Sequence, residues 1–275
     1  RIVKGVVRLE GEDLVKKSED EMREIRGRHI SMILQDPQTS LNPVFTIGNQ
    51  LLESIRIQHP KDNKPTLLRR AIDALKQVRV AAPERRISDY PHQISGGMKQ
   101  RVVGAIAISC EPKVIIADEP TTSLDVTIQA QYLRLLRELQ EETNLALIFI
   151  THDFGIVAKM CDRVMVMYAG RAVETGPVRD IFNNPSHPYT QALLRSVPSM
   201  DENVERLYSI EGQPPALWDL PPGCRFAARC PHADDRCRAE YPPSFKVGEG
   251  HTADCWLLEK AGNEVENSSK QEAAA

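Results

Sequence analysis

The 275 residues carry 35 lysines and arginines against 38 acidic residues, a net charge of −3 that excludes general electrostatic attraction to nucleic acid. Hydrophobic residues make up 41% of the chain, enough for a buried core, but no run approaches the roughly 20 apolar residues of a membrane-spanning helix. Any association with a membrane is therefore expected to be peripheral. The chain begins at Arg1 without an initiator methionine or an apolar signal segment, which is typical of a segment of a longer protein.

The first part of the chain predicts two strands and two helices. Residues 3–9 favour a strand, and the apolar run 30–34 favours a second one, which Pro37 ends so that a loop follows. Apolar side chains recur at helical spacing in 65–80, which predicts an amphipathic helix, and 98–110 predicts a buried helix.

The next part alternates short apolar runs with helical periodicity. The runs 114–117 and 145–150 predict buried parallel strands, and the helix between them has an apolar face that includes Tyr132. Strand, helix and strand in this order indicate a βαβ unit in a doubly wound parallel sheet. Segments 163–168 and 171–174 predict a hairpin that closes this region.

Two carboxylates, Asp118 and Glu119, directly follow the strand 114–117. Ligands bind at the carboxyl ends of strands in open α/β sheets. Because successive side chains of a strand diverge, one acid can face Mg²⁺ while the other faces the water near a terminal phosphate. The alternative is that two acids simply end a strand at the solvent boundary.

Ser95, Gly96 and Gly97 precede the helix 98–110. Backbone N–H groups at a helix start attract phosphate, and glycines place no Cβ in its way. The alternative is an ordinary serine N-cap with a flexible segment before it.

Gln35 and His152 each come just after a predicted strand. A histidine there can contact a γ-phosphate and orient the attacking water, and a glutamine can offer its amide oxygen to Mg²⁺ or to water. Taken singly, these positions are more often explained by a structural histidine and a solvated glutamine. The functional interpretation therefore depends on the whole set of motifs.

That set, in its order and spacing, resembles the ATP-binding-cassette (ABC) family. The matching segments are Gln35 (the Q-loop), 95–98 (the signature motif), 118–119 (the Walker B strand), 123–125 (the D-loop) and His152 (the switch histidine). The resemblance implies an α/β fold of the ABC nucleotide-binding type, with a parallel sheet core and a helical signature subdomain at about 43–110.

The resemblance also implies a role for each residue. The implied catalytic residues are Glu119, His152 and Gln35; the implied nucleotide-binding residues are Ser95, Gly96, Gly97, Met98 and Asp125; the implied Mg²⁺ ligands are Gln35 and Asp118. In this family two cassettes dimerise head-to-tail, and each ATP lies between the phosphate loop of one subunit and the signature motif of the other. Met98 replaces the usual glutamine of that motif, which is tolerated because a serine hydroxyl, backbone amides and a helix dipole hold the phosphate.

The phosphate loop of the family is absent from these residues. No Gly-x-x-x-x-Gly-Lys-Ser/Thr occurs, and none of the 15 glycines is followed by lysine. The resemblance places this loop upstream of Arg1, so the chain as given is expected to bind ATP poorly and to hydrolyse almost none. Natural degeneration of the loop is the alternative to truncation.

Three segments resemble the dipeptide/oligopeptide importer branch of the family. They are 35–43, 117–131 and 184–190, and the third contains a His-Pro-Tyr motif. The implied function is ATP-driven import of dipeptides, oligopeptides or related solutes such as nickel. The implied partners are a second ATPase subunit, two transmembrane permease subunits and, indirectly, an extracytoplasmic solute-binding protein, with no nucleic acid.

The importer resemblance places the chain at the cytoplasmic face of the cell membrane. A soluble ABC ATPase that acts in DNA repair or on ribosomes is the first alternative. A non-catalytic regulatory subunit is the second, because the phosphate loop is missing.

Four late cysteines, Cys224, Cys230, Cys237 and Cys255, lie in a segment rich in proline and poor in apolar periodicity. Such a cluster in a chain without a secretory signal indicates a metal site more often than disulfides. Thiolates suit either zinc or an iron–sulfur cluster, and the lack of a Cys-x-x-Cys pair disfavours zinc. The importer resemblance favours a [4Fe–4S] cluster, and an absence of metal is the third alternative.

The other charged and thiol groups near these motifs have simpler interpretations. Cys110 and Cys161 lie in apolar surroundings and are predicted to be buried core thiols. Four arginines near the late cysteines are expected to offset the negative charge of a cluster: Arg225, Arg229, Arg236 and Arg238.

Composition and resemblance together divide the chain into three segments. Residues 1–176 are predicted to form the nucleotide-binding domain, truncated at its N-terminus. Residues 177–259 are predicted to form the importer extension with its four-cysteine site, and the polar residues 260–275 to be disordered.

Overall fold

A computed structural model describes residue 2 and residues 4–122, 124–197 and 208–259, without the side chain of Gln38. The predicted tail 260–275 and the D-loop residue Ser123 lie outside the described residues. The chain divides into two compact units, one that ends at His152 and one that begins at Asp153. The predicted domain boundary at 176/177 rests on composition and resemblance, and it stays a prediction.

The first unit contains five strands and seven α-helices among its described residues. They are β1 (Arg8–Leu9), β2 (Glu12–Asp13), α1 (Glu19–Ile25), β3 (Ile30–Ile33), α2 (Pro37–Ser40), α3 (Ile47–Gln58), α4 (Lys64–Gln77), α5 (Pro83–Arg86), α6 (Gly96–Ile108), β4 (Val114–Asp118), α7 (Val126–Thr143) and β5 (Ala146–Ile150), with 3₁₀ turns at Leu14–Lys16 and Pro91–Gln93.

A parallel sheet in the order β3-β4-β5 forms the centre of the first unit. Its register aligns Met32 with Ile116 and Ile148. Helix α7 connects β4 to β5, which confirms the predicted βαβ unit. All three strands run the same way, so their carboxyl ends meet at one edge of the sheet.

Helices α3, α4 and α6 pack together beside this sheet. Their buried side chains include Leu51, Ile55, Leu75 and Val102. The helical periodicity of α4 is therefore confirmed, and the helix begins where the Asn63 side chain accepts a hydrogen bond of 3.0 Å from Thr66 N. An asparagine at this position satisfies a backbone N–H that no helical carbonyl can reach.

Two predictions at the ends of elements were wrong. The segment after Pro37 was expected to be a loop, but it forms helix α2, because the fixed φ of proline suits the first position of a helix. The strand predicted at 3–9 is limited to Arg8–Leu9, which pairs with Glu12–Asp13, and residue 3 lies outside the described residues.

The expectation that both sheet faces are covered was also wrong for β5. Ile148 and Ile150 are each about half exposed, and Met32 on β3 is exposed on the same face. The buried face of the sheet is the opposite one, which carries Ile115 and Ala117. An apolar run fixes neither the partner nor the burial of each face, because side chains alternate along a strand.

The second unit contains four strands and four α-helices among its described residues. They are α8 (Phe154–Met160), β6 (Arg163–Tyr168), β7 (Arg171–Pro177), α9 (Val178–Asn183), α10 (Pro188–Arg195), α11 (Asp235–Ala239), β8 (Phe245–Gly248) and β9 (His251–Ala253), with a 3₁₀ turn at Ala227–Arg229.

An antiparallel sheet in the order β6-β7-β9-β8 forms this unit. The predicted hairpin is confirmed as β6 and β7, and both turn residues have positive φ: 45° at Ala169 and 80° at Gly170. Two left-handed residues are what a tight two-residue hairpin turn requires. Strand β9 adds the cysteine-rich segment to this hairpin through the pairing of Glu174 with Ala253.

Aromatic side chains fill the core of the second unit. Phe226 is 1% exposed, and its ring centroid lies 5.2 Å from that of Tyr168 and 5.3 Å from that of Tyr189. Three rings at these distances bury much area with few residues. The second unit therefore has a small core, to which the extension contributes Phe226 and Tyr189 despite its weak periodicity.

No helix among the described residues is long and apolar enough to cross a membrane.

Candidate functional site

Three of the predicted residues meet at the carboxyl edge of the parallel sheet. Gln35 lies just beyond β3, Glu119 just beyond β4 and His152 just beyond β5. Gln35 Nε2 donates to Glu119 Oε2 at 2.9 Å, and His152 Nδ1 lies 3.1 Å from Glu119 Oε1. Strand order explains this meeting, since β4 lies between the other two strands.

Thr122, which was not among the predicted site residues, belongs to the same cluster. Its hydroxyl donates to Glu119 Oε2 at 2.9 Å, and its backbone N–H bonds to the Glu119 carbonyl at 3.3 Å. The available signal was a threonine three residues after the acid in a turn, where such a side chain can reach back. We call Gln35, Glu119, Thr122 and His152 the Glu119 cluster.

These neighbours keep the Glu119 carboxylate ionised. The Thr122 hydroxyl and the His152 imidazole, in that order, lower the pKa of Glu119 below its usual value against a smaller opposing effect of burial, and the Gln35 amide adds to the lowering. Hydrogen bonds to the charged form are the dominant cause. The Glu119 side chain is 23% exposed and that of His152 is 77% exposed, so the cluster opens to solvent on the histidine side.

The backbone of Glu119 is strained. Its φ is 42°, in the left-handed region that non-glycine residues rarely adopt. A hydrogen bond of 2.8 Å from Glu119 N to Ile150 O ties this conformation to the end of β5. Strain of this kind persists where the surrounding structure fixes the position of a side chain.

Asp118 is the last residue of β4 and is half-buried. Oxygen donors from one carboxylate and one amide, completed by phosphate and water, suit Mg²⁺. Among the described residues no group of three or more His, Cys, Asp or Glu side chains could hold a metal ion. Asp118 and Gln35 offer two oxygen donors, so an ion held by them would need its further ligands from phosphate and water.

Ser95 is the N-cap of α6. Its hydroxyl accepts a hydrogen bond of 3.4 Å from Met98 N, and the helix begins at Gly96, two residues before the predicted start. The N-cap alternative and the phosphate alternative are compatible, since the other first-turn N–H groups lack helical partners. The hydrogen bonds described for 95–98 do not reach the Glu119 cluster.

Asp125 is the N-cap of α7, and its Oδ1 accepts a hydrogen bond of 3.0 Å from Ile128 N. Gly97 lies against Ile128, because a Cβ on Gly97 would stand 2.9 Å from Ile128 Cγ2. The predicted signature and D-loop residues are thus neighbours within the first unit.

The four late cysteines line one pocket in the second unit, together with His187. The pocket has a volume of about 20 Å³, which is room for about one water molecule. Burial raises the pKa of all four thiols, to about 11 for Cys255. Four thiols are a suitable donor set for a thiolate-bound group, but the described residues contain no cysteine group arranged to hold a metal, and the pocket has no room for a cluster unless the surrounding loops move.

The four nearby arginines have acceptors within the protein, and their expected offset of a cluster's charge stays a prediction. Arg225 donates to the Ala169 carbonyl, Arg229 to the Glu211 and Ile210 carbonyls, Arg236 to Glu259 and Arg238 to Asp235. Each guanidinium donates to its own carbonyl or carboxylate, because hydrogen bonds from a charged guanidinium to such oxygens are strong.

The remaining two cysteines are half-buried, less than the predicted full burial. The Cys110 thiol lies 3.6 Å from the Ser54 carbonyl, a polar contact that an apolar sequence neighbourhood does not reveal.

Two family models match the chain. Residues 2–122 match the model described as ABC transporter, and residues 173–237 match the one described as oligopeptide/dipeptide transporter, C-terminal region.

Several curated proteins align over nearly the whole chain. The dipeptide transport ATP-binding protein DppD of Escherichia coli (strain K12) is 50% identical over 95% of this chain and 80% of its own length. DppD of Bacillus subtilis (strain 168) is 48% identical over 94% of the chain and 77% of its own length. The oligopeptide transport ATP-binding protein OppD of the same organism is 48% identical over 96% and 74%.

Solved ATP-binding cassettes share the fold. The dimeric post-hydrolysis state of the cassette MJ0796 with ADP and Pi superimposes with a TM-score of 0.58 at 26% identity, over 64% of this chain and 75% of that one. CbiO1 of Clostridium perfringens, part of an ABC transporter complex, gives a TM-score of 0.57 at 28% identity over 66% and 69%. The chain belongs to the ABC transporter family of ATPases, in the branch that carries the oligopeptide/dipeptide transporter C-terminal region.

Proposed function

We propose that this chain is the ATP-hydrolysing subunit of an ABC importer of dipeptides or oligopeptides. The observation that carries the proposal is the pair of family matches, a cassette at 2–122 and a peptide-transporter extension at 173–237, in one chain. The proteins that are 47–50% identical are named for dipeptide or oligopeptide transport. A nickel importer is a less favoured substrate assignment, and a soluble ATPase of DNA repair or ribosomes is not supported by these relatives.

The chemistry proposed for the Glu119 cluster is polarisation of the attacking water. An ionised carboxylate within hydrogen-bond reach of that water acts as a base or a positioning group. Thr122 and Gln35 both donate to Oε2, so Oε1 is the oxygen that faces His152 and the solvent. Glu119 is therefore the proposed catalytic carboxylate.

His152 is proposed to contact the γ-phosphate. Its Nδ1 faces the Glu119 carboxylate, so its Nε2 points to the other side of the ring and is the nitrogen left for a phosphate oxygen. Hydrogen bonding by one ring nitrogen fixes the orientation of the other, which is how a switch histidine is held in place.

The remaining site residues are proposed to serve ATP and Mg²⁺. Asp118 and the Gln35 amide oxygen hold Mg²⁺, which neutralises phosphate charge when bound. Residues 95–98 place the start of α6 against the ATP of a second cassette. Asp125 couples the two nucleotide sites through α7.

The proposed assembly contains two cassettes, identical or different, and two transmembrane permease subunits, with a solute-binding protein outside the cell. The chain then lies at the cytoplasmic face of the membrane as a peripheral subunit. The first segment, 1–176, is assigned to nucleotide binding, with 43–110 as its helical subdomain, and 177–259 to the importer extension.

A groove on α3 and α4 is the proposed permease contact. It has a volume of about 780 Å³ and is lined by Phe45, Leu52, Glu53, Arg56 and Ile57, among others. Phe45 is 50% exposed and Ile57 70% exposed, so apolar and charged side chains mix at its rim. Such a mixture is typical of a specific protein interface.

The four cysteines are proposed to bind a [4Fe–4S] cluster. Their support is convergence on one pocket from positions up to 31 residues apart in the sequence, 224 to 255. Thiolate ligation releases the protons that the raised pKa values keep on these thiols. An anaerobic preparation should contain iron and absorb in the visible blue, and a preparation with neither rejects the cluster.

The experiment that tests the proposed function is uptake by the assembled transporter in vesicles. Dipeptides or oligopeptides, delivered with their binding protein, should stimulate ATP hydrolysis and accumulate inside. The control is Glu119→Gln, which should abolish both, since it removes the anionic oxygen that polarises water. Stimulation by nickel alone would reassign the solute, and ATP hydrolysis that no solute stimulates, with nothing accumulated in the vesicles, would reject the importer.

A further inference from the structure

The two glycines at the start of α6 have different surroundings. A Cβ on Gly96 would meet nothing within 4 Å, whereas a Cβ on Gly97 would stand 2.9 Å from Ile128 Cγ2. Real Cβ atoms essentially never come that close to another heavy atom. Gly97 therefore lacks a side chain for a reason inside this chain, while the space at Gly96 is open to a ligand.

Ile128 is well placed to fix this contact. It is the third residue of α7, and its backbone N–H is held by the N-cap Asp125 at 3.0 Å. Gly97 is the second residue of α6, whose N-cap is Ser95. The contact therefore joins the first turns of two helices whose caps belong to the signature motif and the D-loop.

A second close contact, seven residues further along α6, fixes how α6 and α7 pack against each other. A Cβ on Gly104 of α6 would stand 3.0 Å from the hydroxyl of Tyr132, which is 1% exposed. Glycine inside a helix is destabilising relative to alanine, so such a position needs a packing reason. Arg101 adds a hydrogen bond of 3.4 Å to Gln131 of α7.

We propose that Ile128 is a positioning residue for ATP hydrolysis, because its seat against Gly97 sets the position of Ser95 relative to Asp125. The inference rests on the proposed function and assigns Ile128 a role in ATP hydrolysis. An added Cβ at Gly97 pushes the start of α7 away from α6, so Ser95 and Asp125 can no longer meet the same nucleotide together. Misplacement on the scale of 1 Å is enough to slow a reaction about 100-fold.

The test changes the size of the side chains at positions 97 and 128 in the assembled transporter and measures kcat and KM for ATP. Gly97→Ala should lower kcat at least tenfold, about 1.4 kcal/mol of transition-state stabilisation. Ile128→Leu removes Cγ2 and keeps the carbon count, so adding it to Gly97→Ala should restore kcat to within about threefold of Ile128→Leu alone. Ile128→Val keeps the contacting methyl group and should restore nothing.

Matched controls separate this role from general stability. Gly96→Ala should lose activity that Ile128→Leu does not restore, because nothing in the chain occupies the space beside Gly96. KM for ATP should change little in the Gly97 series, whereas a merely destabilised protein loses activity in step with its thermal melting. If Gly97→Ala prevents assembly, Ile128→Leu should restore assembly as well.

One outcome would overturn the positioning role alone, and another would overturn the proposed function as well. Equal behaviour of Ile128→Leu and Ile128→Val with Gly97→Ala would overturn the positioning role and leave the proposed function intact, provided that Ser95→Ala still lowers kcat. Unchanged kcat in Ser95→Ala would overturn both, since the signature serine would then contact no nucleotide.

Discussion

Glu119 combines a strained backbone with a carboxylate that three side chains hold. At the left-handed φ of 42°, alanine is sterically strained by its Cβ, whereas glycine is not. Glu119→Gly and Glu119→Ala remove the same hydrogen bonds, so the difference between them reports the strain relieved by glycine less the extra unfolded-state entropy that glycine brings.

We expect Glu119→Gly to melt about 2–4 °C above Glu119→Ala. The order is the reverse of that found at ordinary positions, where glycine is the less stable of the two. Differential scanning calorimetry of the two variants checks the prediction, and a higher melting temperature for the alanine variant would contradict a strained Glu119.

Thr122 should set the acid limb of the pH profile. Its hydroxyl is the largest cause of the lowered pKa of Glu119. Because the active form is the carboxylate, activity is lost as pH falls through that pKa, and removing the donor raises the pKa. Thr122→Val should therefore move the acid limb of kcat/KM to higher pH, while Thr122→Ser keeps it in place.

The measurement is kcat/KM for ATP against pH in the assembled transporter. An acid limb that does not move in Thr122→Val would show that this hydroxyl leaves the working carboxylate unaffected.

The meeting of Gln35, Glu119 and His152 was predictable, and the contribution of Thr122 was not. The first three follow from strand order, because parallel strands end at one edge and each residue comes just after its strand. Thr122 reaches Glu119 through a local turn of positive φ, which no periodicity or motif spacing records.

At the scale of elements, the proposed permease groove on α3 and α4 gives a selective prediction. Ile57→Asp places a charge at an exposed apolar position of the groove, where the helix itself loses little. We expect transport and solute-stimulated ATP hydrolysis to fall about tenfold or more, as at an interface anchor, with the melting temperature unchanged.

The matched control is Leu68→Asp on α4, a side chain that is 39% exposed and does not line the groove. Coupled transport measured in vesicles distinguishes the two variants. Equal losses in both would reject the groove as a docking surface.

Strands β7 and β9 are joined by a buried carboxylate. Glu174 is 1% exposed and accepts hydrogen bonds from Ser186 N at 2.7 Å, from His187 N at 3.0 Å and from His251 Nε2 at 2.8 Å. Removing one partner leaves buried donors without an acceptor, which is more costly than losing a surface pair.

Glu174→Ala should therefore destabilise the second unit by about 3 kcal/mol, and Glu174→Gln by less, because an amide oxygen still accepts. Chemical denaturation followed by near-UV circular dichroism measures the difference. A loss below about 1 kcal/mol in Glu174→Ala would show that water replaces these contacts without cost.

Element types were easier to predict than element surroundings. The helices α4 and α6 and the strands β3 and β4 follow from apolar periodicity, whereas the exposed face of β5 does not, since Ile148 and Ile150 are as apolar as buried strand residues. The Glu174–His251 pair joins positions 77 residues apart, and only the three-dimensional fold brings such groups together.

At the scale of the whole molecule, these 275 residues hold the proposed signature motif and the proposed catalytic carboxylate, and no Gly-x-x-x-x-Gly-Lys-Ser/Thr occurs among them. This segment by itself should hydrolyse almost no ATP. A partner cassette with an intact phosphate loop can still receive Ser95 from this chain, so mixing the two should stimulate hydrolysis, and no stimulation would argue against a shared site.

The central claim is that Glu119 polarises the water that attacks ATP at the interface of two cassettes in a transporter. Its most direct test is retention of radiolabelled ATP by the assembled complex after rapid removal of free nucleotide. In a protein that includes the phosphate loop, Glu119→Gln should hold unhydrolysed ATP in a closed dimer and turn over at least about 100-fold more slowly than the same protein with Glu119. Unchanged turnover and no retained ATP in that variant would contradict the account.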